Sequence, residues 1–468
     1  MSHTPNFKLN MSNTSGSLYS SIVASQSRHP HTFLQRYSYH RLFRHTSVGL
    51  LLLLLASCSV TKKIGKQAEH VLLSDTAIST GHIGISIYEP ATNSFWYNHD
   101  ATKYFVPASN TKLFSLYAGL KYLGDSVPGM RYEADANGVV RIQPTGDPSF
   151  LHPDYRDQPV YSFLQGQSNI TLTNFFFTDK FLGRGWAWDD YKEAYMTQRS
   201  NLPVYGNVIT LRKQHDSISI VPSTLKFLLS GVTNLEQGFD VEKHWDNNIL
   251  TIIPGSNQVL QVPFSPNALD VLGMLQDTLH TTITPDLDYV GKLNNVVYSR
   301  PLDSLFIPMM HRSDNFFAEQ TLMMASNELL GYMSDRKLID TLLQTELKGI
   351  PQVPKWVDGS GLSRYNLFTP QSIVFLLDKM KNEYGLERLK KILPTGGEGT
   401  LAAYYKEQAG FIFAKTGTLS NHCALSGFII TKKNKLLVFS VLANNYKTGA
   451  TPVRRAVEKF LVDLREKY

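Results

Sequence analysis

The chain has 468 residues, of which 42% are hydrophobic and 18% charged. That length predicts two or three domains around a sizeable core, and that composition excludes an intrinsically disordered chain. The formal charge of +7 makes no general case for nucleic-acid binding. Residues 1–57 hold Lys8, Arg28, Arg36, Arg41 and Arg44 and no Asp or Glu, which leaves 41 basic against 39 acidic residues in the rest.

Val48 to Ala56 reads VGLLLLLLA, nine apolar residues. A permanent membrane helix needs about 20. The run suits the apolar region of a secretory signal, with Arg41 and Arg44 as its charged flank. It ends in Leu55-Ala56-Ser57-Cys58, which resembles the lipobox of bacterial lipoproteins, where the cysteine is lipidated and becomes the mature N-terminus. Residues 1–57 are therefore read as leader and lipoprotein signal, and 58–74 as a tether. An acyl chain on Cys58 implies a membrane partner. Ser59, rather than Asp, resembles Gram-negative lipoproteins of the outer membrane, so the expected location is the periplasm-facing cell envelope. Cys423 is the remaining cysteine, so no disulfide framework is expected; its apolar surroundings predict a small buried strand residue.

Along the body, HIGISIYEP and NSFWYNHD flank a Pro-Ala-Thr-Asn turn and predict a hairpin. In VPASNTKLFSLYAGLKYLG, Leu113, Leu116, Tyr117 and Leu120 recur at helical spacing and Gly124 closes the pattern. Residues 127–283 carry many short β-like runs and predict one or more inserted β-rich domains. Trp186 and Trp188 are read as core of that insertion. Helical patterns return at 301–330 and 370–393. A strand at 411–416 and the runs CALSGFIIT and KLLVFSVLAN then predict a three-stranded meander, followed by an amphipathic helix at 452–466. The economical solution is α+β: an antiparallel sheet built from both chain ends, segments 75–126 and 284–468, with helices packed on it.

Three short motifs occur in order: Ser109-Asn110-Thr111-Lys112, Ser313-Asp314-Asn315 and Lys415-Thr416-Gly417. Ser-x-x-Lys also occurs at Ser59, Ser223 and Ser334, and Lys-Thr-Gly also at Lys447, so context must choose. Ser109 starts a strong helical pattern, where free N–H groups favour negative charge. Lys112 lies on the same helical face, within reach of the Ser109 hydroxyl. Lys415 is on a strand followed by two more, whereas Lys447 follows the last strand in a turn. To accept the Ser109 proton, Lys112 must be neutral, so its pKa must fall from about 10.4. Burial and the nearby cation Lys415 push in that direction. Ser313 suits a proton relay, Asn315 substrate orientation, and Asp314 a structural role. Lys415, Thr416 and Thr418 suit a terminal carboxylate. The histidines, His311 and His422 among them, show no metal-ligand spacing, so neither metal nor cofactor is expected.

The trio resembles the active site of serine penicillin-binding proteins and serine β-lactamases. Pro107–Leu113, Gly146-Asp147-Pro148-Ser149-Phe150, Gly185–Asp190, Asp358–Arg364 and Leu393-Pro394-Thr395 narrow it. They resemble the S13 peptidases, D-Ala-D-Ala carboxypeptidase/endopeptidases of the class C, penicillin-binding-protein-4 type. The similarity runs from about residue 75 to 465, and the long gap between Lys112 and Ser313 fits the extra domains which that family inserts. The resemblance implies a penicillin-binding-protein/β-lactamase-like fold and an acyl-enzyme on Ser109. It implies peptidoglycan stem peptides as substrate and β-lactams as inhibitors. It also implies an oxyanion hole of the Ser109 and Thr418 N–H groups, each such donor worth about 3 kcal/mol. Catalytic roles fall on Ser109, Lys112, Ser313 and Lys415, and substrate contacts on Asn315, Thr416, Gly417 and Thr418. Asp190 and Arg364 are expected to meet the polar end of the stem peptide. Some relatives have Gln where this chain has Ser420. Two alternatives stand beside this reading: a serine β-lactamase, and a non-catalytic penicillin-binding sensor or wall-binding module. The first needs a base for deacylation, yet no Glu-x-x-x-Asn follows Ser313 suitably: Glu346 is near the place, with Ile350 in the Asn slot.

Overall fold

The computed structural model describes residues 60–468, apart from 175, 216, 225–226, 230–237 and 246. Cys58 and the leader lie outside the described residues, as does Lys226 of one alternative Ser-x-x-Lys. Among the described residues, no helix is long and apolar enough to cross a membrane.

The central sheet is antiparallel, and both chain ends build it. Its strand order is Ile412–Leu419, His422–Ile430, Leu436–Asn444, His82–Glu89, Ser94–His99. Side chains alternate across it with period two. Leu437, Phe439, Val441 and Ala443 face one hydrophobic cluster, and Val438 and Leu442 the other. The first cluster is completed by the amphipathic helix Ala450–Lys467, through Val453, Val457, Phe460 and Leu464. The second is filled by helices Lys112–Tyr122, Asn315–Leu330 and Pro370–Tyr384. Every residue from Lys112 to Leu120 is buried. Such a helix is held by packing on all sides rather than by one apolar stripe.

The segment expected to be a tether is ordered differently. Residues 60–68 are helical and continue into a π turn at Glu69–Leu73. Ile64, Ala68 and Leu72 recur every four residues and pack beside Phe460 and Leu461. Leu72→Ala is expected to cost about 2–4 kcal/mol, read as a fall in melting temperature; an unchanged melt would mean that this packing contributes nothing.

The inserted region is mostly β, as its texture predicts. One sheet has the order Ile283–Pro285, Ile170–Leu172, Val140–Pro144, Ser126–Ala134, Asn295–Pro301. Two smaller sheets follow, and all three share a core with helix Ala268–Leu279. Strand Asn295–Pro301 pairs antiparallel with Ser126–Ala134, so this sheet reaches beyond residue 283. The expected hairpin, meander and closing helix are all present. Helix Asp335–Gln344, not predicted, is capped by Ser334, which places the alternative Ser334/Lys337 pair on an ordinary helix start.

Candidate active site

The turn that carries Ser109 owes its shape to its neighbours. Ala108–Thr111 is a 3-10 turn leading directly into the helix Lys112–Tyr122. Ala108 has φ +47°, a conformation that non-glycine residues adopt rarely, and it places Ser109 at the helix start. Ser313, in the second motif, has φ +64°. Such strained residues persist only where their surroundings fix them. Two glycines admit the fit. A Cβ at Gly361 would lie 1.9 Å from the Ala108 carbonyl oxygen, and one at Gly417 would lie 3.0 Å from the Ser109 nitrogen.

The three motifs converge. Lys112 Nζ lies 3.0 Å from Ser109 Oγ, 2.6 Å from Asn315 Oδ1 and 2.6 Å from the Ser360 carbonyl oxygen. Lys415 Nζ donates to Ser313 Oγ at 2.9 Å and to the Thr416 carbonyl at 2.7 Å. Asn110 Nδ2 donates to the Lys415 carbonyl at 2.9 Å, which ties the nucleophile turn to the edge strand Ile412–Leu419. Lys112 and Lys415 are fully buried, whereas Ser109, Ser313 and Asn315 are partly exposed. Asp314 turns away: it caps helix Asn315–Leu330 through the Phe317 N–H and pairs with Arg312.

Burial pushes the Lys112 ammonium down to about 8, against the pull of Asp358, Glu319 and Asp314. Burial, and repulsion from Lys112, hold Lys415 well below the usual lysine range. The sequence expectation places that repulsion on Lys112. In the structure burial lowers Lys112 against its neighbouring carboxylates, and the repulsion between the two lysines lowers Lys415.

The other sequence-predicted residues divide. Gly417 sits against the nucleophile turn. The hydroxyls of Thr416 and Thr418 are engaged elsewhere, Thr416 with Thr400 Oγ1 at 2.8 Å and Thr418 with Arg454. Burial first, and then the neighbouring Asp190, push the Tyr195 hydroxyl up to about 12, and the Tyr195 carbonyl accepts from Asn315 Nδ2 at 2.8 Å, so Asp190 is one residue removed from the second motif. Arg364 is exposed and donates to the Ser420 carbonyl at 3.3 Å, just past the edge strand. Trp186 and Trp188 are not core. Trp186 is half-buried and donates to Asp358 at 2.9 Å, and Trp188 is 81% exposed. Cys423 is a buried strand residue. Glu346 pairs with Lys121 at 3.0 Å rather than facing Ser109.

Sequence reasoning missed several contributors. In the sequence the Asp358–Ser363 loop stands out only as part of the Asp358–Arg364 string, yet its Ser360 carbonyl is a direct partner of Lys112. Asp358 organises that loop, accepting from the Gly361 and Ser363 N–H groups and from Asn366. Tyr195, Thr400, Arg454 and Glu319 carried no short-range signal.

A helix-borne serine beside a buried lysine, a second serine on another lysine, and an open sheet edge define a serine acyl-transfer enzyme of the penicillin-recognising class. Comparison with known proteins then gives the family. Residues 66–467 match the D-Ala-D-Ala carboxypeptidase 3 (S13) family, and the chain belongs to it. It is 25% identical to the D-alanyl-D-alanine carboxypeptidase of Actinomadura sp. (strain R39) over 451 residues, covering 82% of this chain and 81% of that protein. It is 23% identical to the D-alanyl-D-alanine carboxypeptidase DacB of Haemophilus influenzae, over 75% of this chain and 83% of that protein. The crystal structure of penicillin binding protein 4 (dacB) from Haemophilus influenzae has the same fold. It superimposes with a TM-score of 0.68 at 20% identity, covering 86% of this chain and 99% of that one.

Proposed function

We propose that the protein is a serine D-Ala-D-Ala carboxypeptidase acting on peptidoglycan stem peptides, with D-Ala–diaminopimelate crosslinks as further substrates. The observation that carries this is the set of partners of Lys112. The Asn315 Oδ1 and Ser360 carbonyl oxygens can only accept, so they take the two N–H bonds of a neutral amine. Its lone pair is left facing the Ser109 hydroxyl, 3.0 Å away. Lys112 takes the proton as Ser109 Oγ attacks the carbonyl of the penultimate D-Ala. The acyl–oxygen bond forms and the C–N bond breaks. Lys112 passes that proton by way of Ser313 to the departing amine and is neutral again. Water then attacks the ester and gives a proton to Lys112, which returns it to Ser109 Oγ as the acyl–oxygen bond breaks.

Gly417 holds the edge strand against the Ser109 N–H, which fits that N–H and the Thr418 N–H as the oxyanion donors. Lys415 is the cation for the substrate's terminal carboxylate, and the Lys-Thr-Gly backbone contributes more than the Thr416 hydroxyl does. Asp190 and Arg364 are read as contacts for the polar end of the stem peptide. β-Lactams acylate the same serine. With Glu346 tied to Lys121, this reading supplies no carboxylate base for rapid deacylation. The leader supports export and a lipid on Cys58, which would tether the enzyme at an outer membrane facing the wall.

Incubation with a pentapeptide ending in D-Ala-D-Ala is expected to release D-Ala, and intact mass after benzylpenicillin is expected to show a long-lived adduct. Neither occurring with folded protein would refute the reading, and rapid penicillin turnover would favour a β-lactamase. The acylation rate should also rise about tenfold per pH unit below about 8 and level off above it. A flat profile from pH 6 to 9 would exclude Lys112 as the base.

A further inference from the structure

Helix Asn315–Leu330 carries a carboxylate that the mechanism does not use. Glu319 is fully buried, one turn beyond Asn315. Its Oε1 accepts the Ser360 N–H at 2.7 Å. The same residue's carbonyl takes the Lys112 amine at 2.6 Å. On its other side lies Arg199, 2% exposed, whose Nη1 is 3.6 Å from Glu319 Oε2. Arg199 also pairs with Asp335 and donates to the carbonyls of Lys180 and Leu182, at 3.1 and 3.3 Å. Arg199, Lys180 and Leu182 all belong to the inserted region. The loop between them has little freedom: a Cβ at Gly359 would lie 2.7 Å from the Ala318 carbonyl. Ser360 is therefore held on both sides, its own N–H by Glu319 and the next peptide, which carries its carbonyl, by Asp358 through the Gly361 N–H at 3.0 Å, and together these fix the carbonyl direction.

We propose that Glu319 is a positioning residue for Lys112, acting through the backbone of Ser360, whose N–H it holds, and itself held in place by Arg199 from the inserted region. This deepens the reading of Lys112 as general base and rests on it. Glu319 acts in two ways. It anchors the N–H side of Ser360, so that, with Asp358 on the Gly361 N–H, the Ser360 carbonyl stays on the amine and leaves its lone pair toward Ser109. Its charge also favours the protonated form of Lys112, together with Asp358 and Asp314 and against burial. Around Glu319 itself, burial, Asp358 and Asp335 raise its carboxyl to about 7 against Arg199 and the Ser360 side chain.

The test is acylation by benzylpenicillin, followed from pH 6 to 9, for the wild type, Glu319→Gln, Glu319→Ala and Lys112→Ala. Glu319→Gln keeps an oxygen for the Ser360 N–H and removes the charge. Its acid limb is expected to move to lower pH by about half a unit or more, with the plateau rate largely kept. Glu319→Ala loses the hydrogen bond as well and is expected to be at least about tenfold slower on the plateau. A purely structural role would not shift the limb. A Glu319→Gln limb at the wild-type position overturns the proposal, as does a Glu319→Ala protein as fast as wild type. Where the alanine variant does not fold, the glutamine limb decides. Wild-type acylation by Lys112→Ala would instead refute the general-base reading itself, which separates the two failures.

Discussion

Lys112→Ala is expected to slow acylation by benzylpenicillin by about 10³-fold or more while leaving the fold intact. Ser109→Ala is expected to abolish the covalent adduct altogether. The amine is fully buried and has no partner beyond Ser109, Asn315 and the Ser360 carbonyl among the hydrogen bonds of the described residues. Removing it takes away the group placed to receive the Ser109 proton, and a water in its place is a far weaker base. It also leaves the Asn315 and Ser360 oxygens without a donor, so some loss of stability accompanies the change. Rapid-quench labelling followed by intact mass gives the rate, and circular dichroism the fold. Equal rates for Lys112→Ala and wild type would remove the basis of the mechanism.

Gly361→Ala is expected to be nearly as damaging, without touching any group that does chemistry. Gly361 has φ +85°, which an L side chain tolerates poorly, and its Cβ would fall 1.9 Å from the Ala108 carbonyl oxygen. Neither backbone can yield alone. Ala108 is itself held at φ +47°, and the Gly361 N–H is bound to Asp358 at 3.0 Å. The combined strain and clash should cost on the order of 3–5 kcal/mol. Any relaxation moves the residue preceding the nucleophile, so acylation should fall with stability. Thermal melting and penicillin labelling of one preparation measure both. A variant with wild-type melting temperature and labelling rate would show that the loop does not shape the nucleophile turn.

Much of this arrangement is legible in the sequence. The sheet strands alternate with period two over long apolar runs, as in KLLVFSVLAN, and the nucleophile helix repeats at 3.6. The helical pattern that Ser109 opens selects one Ser-x-x-Lys among four. What is not legible has a common cause. Ser360 lies 248 residues from Lys112 and 41 from Glu319, so no local pattern joins them. The helical segment at 60–73 is masked by Lys62, Lys63 and Lys66, which lie beside its stripe of Ile64, Ala68 and Leu72. Trp186 and Trp188 have the composition of core, but one serves Asp358 and the other faces solvent. The two threonines of the edge strand match their motif by type, while alternation along the strand turns their hydroxyls to Thr400 and Arg454.

The strands Ser126–Ala134 and Asn295–Pro301 are paired neighbours, with Ser126 opposite Pro301. The chain thus leaves the catalytic body and returns to it at one doorway. Such an excursion can lengthen, shrink or be exchanged between lineages without altering the sheet's register, since both ends stay where they were. Arg199 qualifies that freedom: any replacement module must bring a cation to Glu319, or the enzyme inherits a lone buried carboxylate one peptide away from its amine.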